Sequence, residues 1–198
     1  MEKMKTVNTD NMIVEQFRDG IFRSASRTYG EQYIEPILRK YYGWEESNEG
    51  ANDAVGNDGQ LIEIKASKVL LSTEKKENIS LVERIISENH NDVINRLVSF
   101  DDRYDSEYYA NMQNVKRDHF DELYYVMLFE DCLKIFVSKK DNISTIPNWY
   151  DKHGRYDAPG KSGQFAIKKT NIAWHIENNL ITTLTWEEVY NITKENIL

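Results

Sequence analysis

Residues 61 to 67, LIEIKAS, alternate in character along the chain, and no other stretch restricts the fold as much. Successive side chains of a strand point to opposite faces. Ile62, Ile64 and Ala66 must therefore face a core, while Leu61, Glu63, Lys65 and Ser67 share the opposite face. Asp53 stands ten residues before Glu63, and Asn57-Asp58-Gly59 lies between them. Asn and Asp before Gly is hairpin chemistry, because those positions tolerate positive φ. A hairpin closing there brings Asp53 back across from Glu63, so that two carboxylates converge with an ammonium beside them.

The remaining elements follow from periodicity. Residues 11 to 29 read as an amphipathic helix, with Ile13, Val14, Phe17, Ile21 and Phe22 at helical spacing. GEQYIEPILRKYYGW reads as a second helix with Ile34, Ile37, Leu38 and Tyr41 inward, Pro36 as a kink or restart, and Gly43 as the stop. WEESNEGANDAVG and QLIEIKASKVLL read as paired strands. Residues 78 to 99 read as a helix carrying Ile79, Val82, Ile85, Ile86, Val93, Ile94 and Leu97. FDDRYDSEYYANMQN reads as a loop or short helix. ELYYVMLFE and CLKIFVSK read as two strands about a tight turn at Glu130-Asp131, and 141 to 163 as a long loop. QFAIKKTNIAWHIENN reads as a short strand and a helix, with Trp174 in the core. Thr185-Trp186-Glu187-Glu188 fits a capping box opening a last helix, whose Trp186 also belongs in the core. This order predicts an α/β fold in which a central mixed β-sheet is flanked by helices on both faces. With no linker-like run and no repeat, the 198 residues read as a single domain.

Composition narrows the function. No apolar run approaches the roughly 18 residues of a membrane span, and the polar start of the chain is unlike a signal peptide. One cysteine, Cys132, allows no internal disulfide and no cysteine-based zinc site. A reducing cytoplasm is the expected compartment. The formal net charge of −8 argues against a protein that coats nucleic acid, but it leaves room for one that grips it at a single cleft. From Lys134 to Lys169, eight basic residues stand against three acidic ones, so the charge is unevenly spread. His90, His119, His153 and His175 show no metal-ligand spacing. Gly160-Lys161-Ser162 imitates a phosphate loop, but Arg155 stands where that loop needs its first glycine.

Asp53 and Glu63, with the Ile64 carbonyl, are oxygen donors suited to a hard divalent cation. Magnesium is commonly held by one or two carboxylates plus water. Such an ion lowers the pKa of a bound water and offsets charge at phosphorus. Lys65 would orient or deprotonate that water and stabilise the developing charge. The alternative is a solvated strand face carrying an ordinary ion pair.

Asn52-Asp53 followed by Glu63-Ile64-Lys65 resembles the PD-(D/E)xK nuclease superfamily, with Asn52 in place of the proline. The resemblance covers roughly residues 24 to 68. It implies a restriction-endonuclease-like core at about 24–140, with catalytic Asp53, Glu63 and Lys65. It also implies a helix-borne glutamate, for which Glu31 and Glu35 both fit. Mg2+ is the expected cofactor, with Mn2+ as a substitute.

Among such nucleases, a small stand-alone chain most resembles a type II restriction endonuclease. The resemblance implies a cytoplasmic prokaryotic enzyme that hydrolyses phosphodiesters of double-stranded DNA at a short specific sequence. It further implies a homodimer matching a two-fold site and a companion DNA methyltransferase. A recognition loop is expected at about 141–170, where Arg155, Lys161, Ser162 and Gln164 can reach base edges. NMQNVKRDHF offers Asn111, Gln113, Asn114, Lys116 and Arg117 as a second contact group. Two rival readings are a structure-selective repair or recombination nuclease of the junction-resolvase kind and a noncatalytic DNA-binding module.

Overall fold

The computed structural model describes residues 9–24, 30–47, 52–72, 93–151 and 162–194. In chain order the strands are β1 (Glu45–Glu46), β2 (Ala54–Val55), β3 (Leu61–Lys68), β4 (Ala110–Val115), β5 (Glu122–Leu128), β6 (Cys132–Lys139), β7 (Gly163–Ile167) and β8 (Leu180–Thr185). The helices are α1 (Thr9–Ser24), α2 (Gly30–Tyr42), α3 (Ile172–Asn179) and α4 (Trp186–Lys194). Six strands form one mixed sheet in the order β1-β2-β3-β5-β6-β8, and β4 pairs with β7 as a separate ribbon. Only the β3–β5 pair of the large sheet is parallel. The chain is an α/β protein with a mixed central sheet and flanking helices.

Burial explains the strand sequences. β5 and β6 lie inside the sheet, so both of their faces are covered and their sequences run almost continuously apolar. They meet at Glu130-Asp131, where the Phe129 N–H donates to the Cys132 carbonyl at 2.9 Å. One face of the sheet carries Ile62, Ile64, Val126, Leu133 and Ile135 against Phe22 of α1, Ile34 and Leu38 of α2, and Val189 of α4. The opposite face carries Leu123, Tyr125, Met127 and Phe136 against Met112 of β4, Phe165 of β7 and Ile172 of α3. Lys68 ties the first layer together, its Nζ donating to the Phe22 carbonyl of α1 at 2.6 Å.

Several local expectations hold. Gly43 ends α2 at φ 71°, and the Trp44 N–H closes the turn on the Arg39 carbonyl. The 56–60 turn uses Gly59 at φ 79°. Thr185 and Glu188 bond reciprocally at the start of α4: the Glu188 N–H donates to Thr185 Oγ1 at 3.2 Å, and the Thr185 N–H donates to Glu188 Oε2 at 2.7 Å. Trp186 is buried, and Trp174 packs partly buried on the core.

Other expectations are corrected. α1 begins at Thr9 and ends at Ser24, with residues 25–29 outside the described set. Ile13 and Tyr41 are 41% exposed rather than inward; Tyr42, one step further round α2, takes the packed position. α2 runs through Pro36 unbroken. Among the described residues of 44–56, the strands are the two-residue β1 and β2. Most of the 78–99 helix falls outside the described residues, and Val93–Arg96 is a short 3-10 turn. The 100–114 stretch divides into a 3-10 turn at Asp101–Tyr104 and strand β4. β8, which sequence reading passes over, pairs antiparallel with β6. Among the described residues, no helix is long and apolar enough to cross a membrane.

The β4–β7 ribbon depends on one close approach. A Cβ added at Gly163 would overlap the Trp149 ring, which packs against the same core layer. Gly163→Ala is expected to lower unfolding free energy by about 1–3 kcal/mol, the usual range for overpacking. Chemical denaturation measures it, and an unchanged midpoint would show that Trp149 moves aside freely.

Candidate functional site

The hairpin of β2 and β3 builds the site. Ala54 pairs with Ile62 and Val55 with Leu61, so Asp53 comes opposite Glu63. The Asp53 N–H donates to the Ile62 carbonyl at 2.9 Å, and its Oδ2 accepts the Ile64 N–H at 2.6 Å. The preceding Asn52 is buried and locks this corner, its Nδ2 donating to the Ala54 carbonyl at 2.8 Å and its Oδ1 accepting from Ser47 Oγ at 3.1 Å. At the far side, the Leu61 N–H donates to Asp121 Oδ2 and the Asp121 N–H donates to the Leu61 carbonyl, fixing β3 against the start of β5.

Three oxygens converge on one ammonium. Lys65 Nζ lies 2.7 Å from Glu63 Oε1 and 3.7 Å from Asp53 Oδ2, and it donates to the Ile64 carbonyl at 2.9 Å. Glu63 and Lys65 are only 3% and 6% exposed. The alternative of a solvated strand face is therefore overturned. The Asp53 side chain is 23% exposed, so the cluster meets solvent on its Asp53 side.

The cover over these charges comes from far along the chain. In the parallel register Leu123, Tyr125 and Met127 stand beside Glu63, Lys65 and Ser67, and belong to the same core layer as the β4–β7 ribbon. Ser67 Oγ accepts the Asn111 N–H of β4 at 3.1 Å. This burial pushes the Glu63 carboxyl up to about 7, against the pull of Lys65, while the charge of Asp53 adds to the rise and that of Lys116 lowers it. A buried ion pair is a poor source of stability, since apolar residues of the same volume usually serve as well. A carboxyl shifted up towards neutrality beside a specific charge partner marks the cluster as a candidate functional site.

Among the described residues, no group of three or more carboxylate, histidine or cysteine side chains forms a ready metal site. The donor set at the hairpin is two carboxylates and one carbonyl. All three are hard oxygens already gathered around one positive charge, and this suits a cation that keeps most of its water.

The other predicted residues divide. Glu35 is half-buried on α2, and Glu31 lies in the first turn of that helix. The apolar side of α2 packs beneath the face of β3 opposite to Glu63 and Lys65. Gln113 and Asn114 are exposed at a bulge between β4 and β7, with Asn114 at φ 55°. Lys116 follows within electrostatic reach of Glu63. Arg117 pairs with Asp151 at 3.5 Å. Ser162 is buried, and Gln164 is bonded through its backbone to Tyr150. Arg155 and Lys161 lie outside the described residues.

Sequence reading missed a polar cluster behind Lys65. Tyr125, the β5 neighbour of Lys65, shares a 3.0 Å hydrogen bond with His175 Nδ1 and accepts one from Asn179 Nδ2 at 2.8 Å. His175 is fully buried, and burial depresses its pKa to about 4. Fifty residues separate the ring from the tyrosine, and no local pattern signals such a pairing.

Comparison with protein-family models and with curated proteins finds no match to this chain.

Proposed function

We propose that the chain is a Mg2+-dependent endonuclease that hydrolyses double-stranded DNA at a short specific sequence, in the manner of a type II restriction endonuclease. The observation that carries this reading is the meeting of the Asp53 carboxylate, the Glu63 carboxylate and the Ile64 carbonyl at one cationic point. The PD-(D/E)xK resemblance adds support: Asp53 enters one strand and Glu63-Ile64-Lys65 lies on the next, as that family arranges them. A restriction-endonuclease-like core is the finer form of this proposal.

In this reading Asp53, Glu63 and the Ile64 carbonyl would hold the cation, which would supply charge neutralisation at the phosphate and a more acidic attacking water. Asp53 is positioned by its bond from the Ile64 N–H, so its second oxygen has a defined direction. With a cation held there, Glu63 would have to be ionised, because a ligating carboxylate is deprotonated. Lys65 keeps its proton at Nζ and holds positive charge where negative charge grows on the phosphoryl oxygens. Tyr125 and its apolar neighbours exclude bulk water from behind. Lys116, within electrostatic reach of Glu63, could meet a phosphate there, and the exposed Gln113 and Asn114 of the β4 bulge are the amide side chains that could read bases. A homodimer cutting both strands and a methyltransferase protecting host DNA complete the proposal.

Digestion of a sequenced plasmid with Mg2+, with and without chelator, tests it. Discrete fragments with constant ends, abolished by chelator, are expected. Cutting of branched DNA alone would move the reading to a structure-selective nuclease, and chelator-resistant cutting would remove the metal. The pH dependence is a further expected result. Apparent Mg2+ affinity should fall about tenfold per pH unit below about 7, as protons compete for Glu63, and this dependence should vanish in Glu63→Gln. A flat profile in the native chain would separate Glu63 from the cation.

A further inference from the structure

The β4–β7 ribbon has two unlike faces. Ala110 pairs with Ile167 and Met112 with Phe165, and all four belong to the core layer beneath. The alternate residues therefore point away from the core. On the β4 side these are Tyr109, Asn111 and Gln113, and on the β7 side Gln164 and Lys168. Tyr109, Gln113 and Lys168 are exposed, and Asn111 and Gln164 are half-buried. Lys168 Nζ lies 5.2 Å from the centre of the Tyr109 ring, which ties the two strands together at one end. At the other end the register passes from Met112–Phe165 to Val115–Gly163, so Gln113 and Asn114 stand against Gln164 alone. Such a bulge re-aims side chains, and here it gathers amides beside Lys116.

Charge sets this face apart from the rest of the chain. Neither strand carries a charged side chain. Lys116 follows β4 and Lys168 follows β7, and because the strands are antiparallel the two ammonium groups mark opposite ends of the ribbon. Glu107, ahead of β4, is paired with Lys169. Asp151 accepts from Trp149 Nε1 at 2.8 Å and pairs with Arg117 at 3.5 Å. In a chain of net charge −8, an acid-free row of amides between two cations is complementary to a polyanion with hydrogen-bonding edges. The major groove of B-form DNA is about 12 Å wide and admits a two-stranded ribbon, and Asn or Gln side chains bond there in pairs to adenine N6 and N7.

We propose that the outward face of the β4–β7 ribbon lies in the major groove of duplex DNA and reads adenine. Asn111 and Gln113 bond to base edges, and Lys116 and Lys168 meet phosphates at the two ends. The choice of partner rests on the endonuclease reading. Gln164, expected in a recognition loop, belongs instead to a strand of this reading face.

A library of duplexes with a randomised centre, bound in Ca2+ and sequenced, is the probe. Native protein should enrich a motif with at least one A·T pair. Replacing its adenine by 7-deazaadenine removes N7 from the major groove and leaves base pairing intact. That should weaken native binding at least about 5-fold, the lower scale of one bidentate base contact. Asn111→Ala and Gln113→Ala should each relax the preference at one position and lose the 7-deazaadenine effect there, while melting as the native chain does. Lys168→Ala should weaken all duplexes alike and reduce the salt dependence. A motif without A·T pairs, a preference unchanged in both amide variants, or stronger binding of single strands than of duplex would overturn the proposal. Plasmid cleavage in Mg2+ is scored separately. Cutting at a site that both amide variants select as the native chain does would sink the ribbon and spare the nuclease. An adenine motif lost in the variants, with no cutting by the native chain, would sink the nuclease and keep the ribbon as a reader of DNA.

Discussion

Lys65→Ala is expected to bind DNA and to cleave it at least about 10²-fold more slowly, the usual scale for one positioned catalytic or charge-stabilising group. Two effects combine in this variant. The positive charge that would face the phosphoryl oxygens is gone. The pull that Lys65 exerts on Glu63 is gone as well, so the buried carboxyl rises above about 7 and stays protonated at neutral pH. The second effect weakens the cation site and should be partly rescued by higher pH or higher Mg2+, whereas the first should not. Glu63→Gln and Asp53→Asn should lose a similar or larger factor, with no rescue by pH. Single-turnover cleavage measured over pH and Mg2+, alongside DNA binding in Ca2+, separates these contributions. Cleavage by Lys65→Ala at the native rate would remove Lys65 from the mechanism. Loss of DNA binding in all three variants would instead point to a collapsed hairpin.

The second large effect concerns stability against pH, where two buried groups oppose each other. His175 carries a pKa of about 4 in the folded chain against 6.5 in its absence. Between those values the unfolded chain binds a proton that the folded chain refuses, so acidification favours unfolding. Glu63 carries about 7 against 4.5. Between those values the folded chain keeps a proton that the unfolded chain has lost, so acidification favours folding. The two oppose each other between pH 4.5 and 6.5, so together they should leave the native stability profile shallower than either would alone. His175→Phe should expose the Glu63 effect as stability that falls as pH rises towards 7. Glu63→Gln should expose the His175 effect as stability that rises with pH from 4 to 6.5. His175→Phe also removes the hydrogen-bond partner of the Tyr125 hydroxyl, a pH-independent loss of about 1 kcal/mol. Urea titrations without divalent cation at half-unit pH intervals read both slopes. Parallel profiles for the native chain and the two variants would mean that neither group is desolvated as the fold implies.

The legible parts of this fold were those whose physics is local. Alternation announced β3, the paired apolar runs announced β5 and β6, and Thr185 with Glu188 announced the start of α4. β4 was not legible, because Asn111, Gln113 and Asn114 suit a loop until β7 supplies a partner some fifty residues on. β8 lay unassigned between two correctly read helices, and its Leu, Ile and Thr residues become a strand through pairing with β6. Ile13 and Tyr41 were misplaced because helical spacing defines a stripe while the neighbours decide how wide it is.

The same division runs through the site. The two-residue period of a strand puts Glu63 and Lys65 on one face, and the Asn57-Asp58-Gly59 turn returns Asp53 to them; both follow from residues within reach of one hairpin. Whether that face is wet or dry was beyond the sequence. Strand β5 and the β4–β7 ribbon, brought from up to a hundred residues away, remove water from Glu63 and Lys65. Desolvation depends on everything that surrounds a charge, and only tertiary packing supplies those surroundings. The sequence by itself chose the charged groups and their spacing, and the assembled fold made an ordinary carboxylate one that titrates near neutrality.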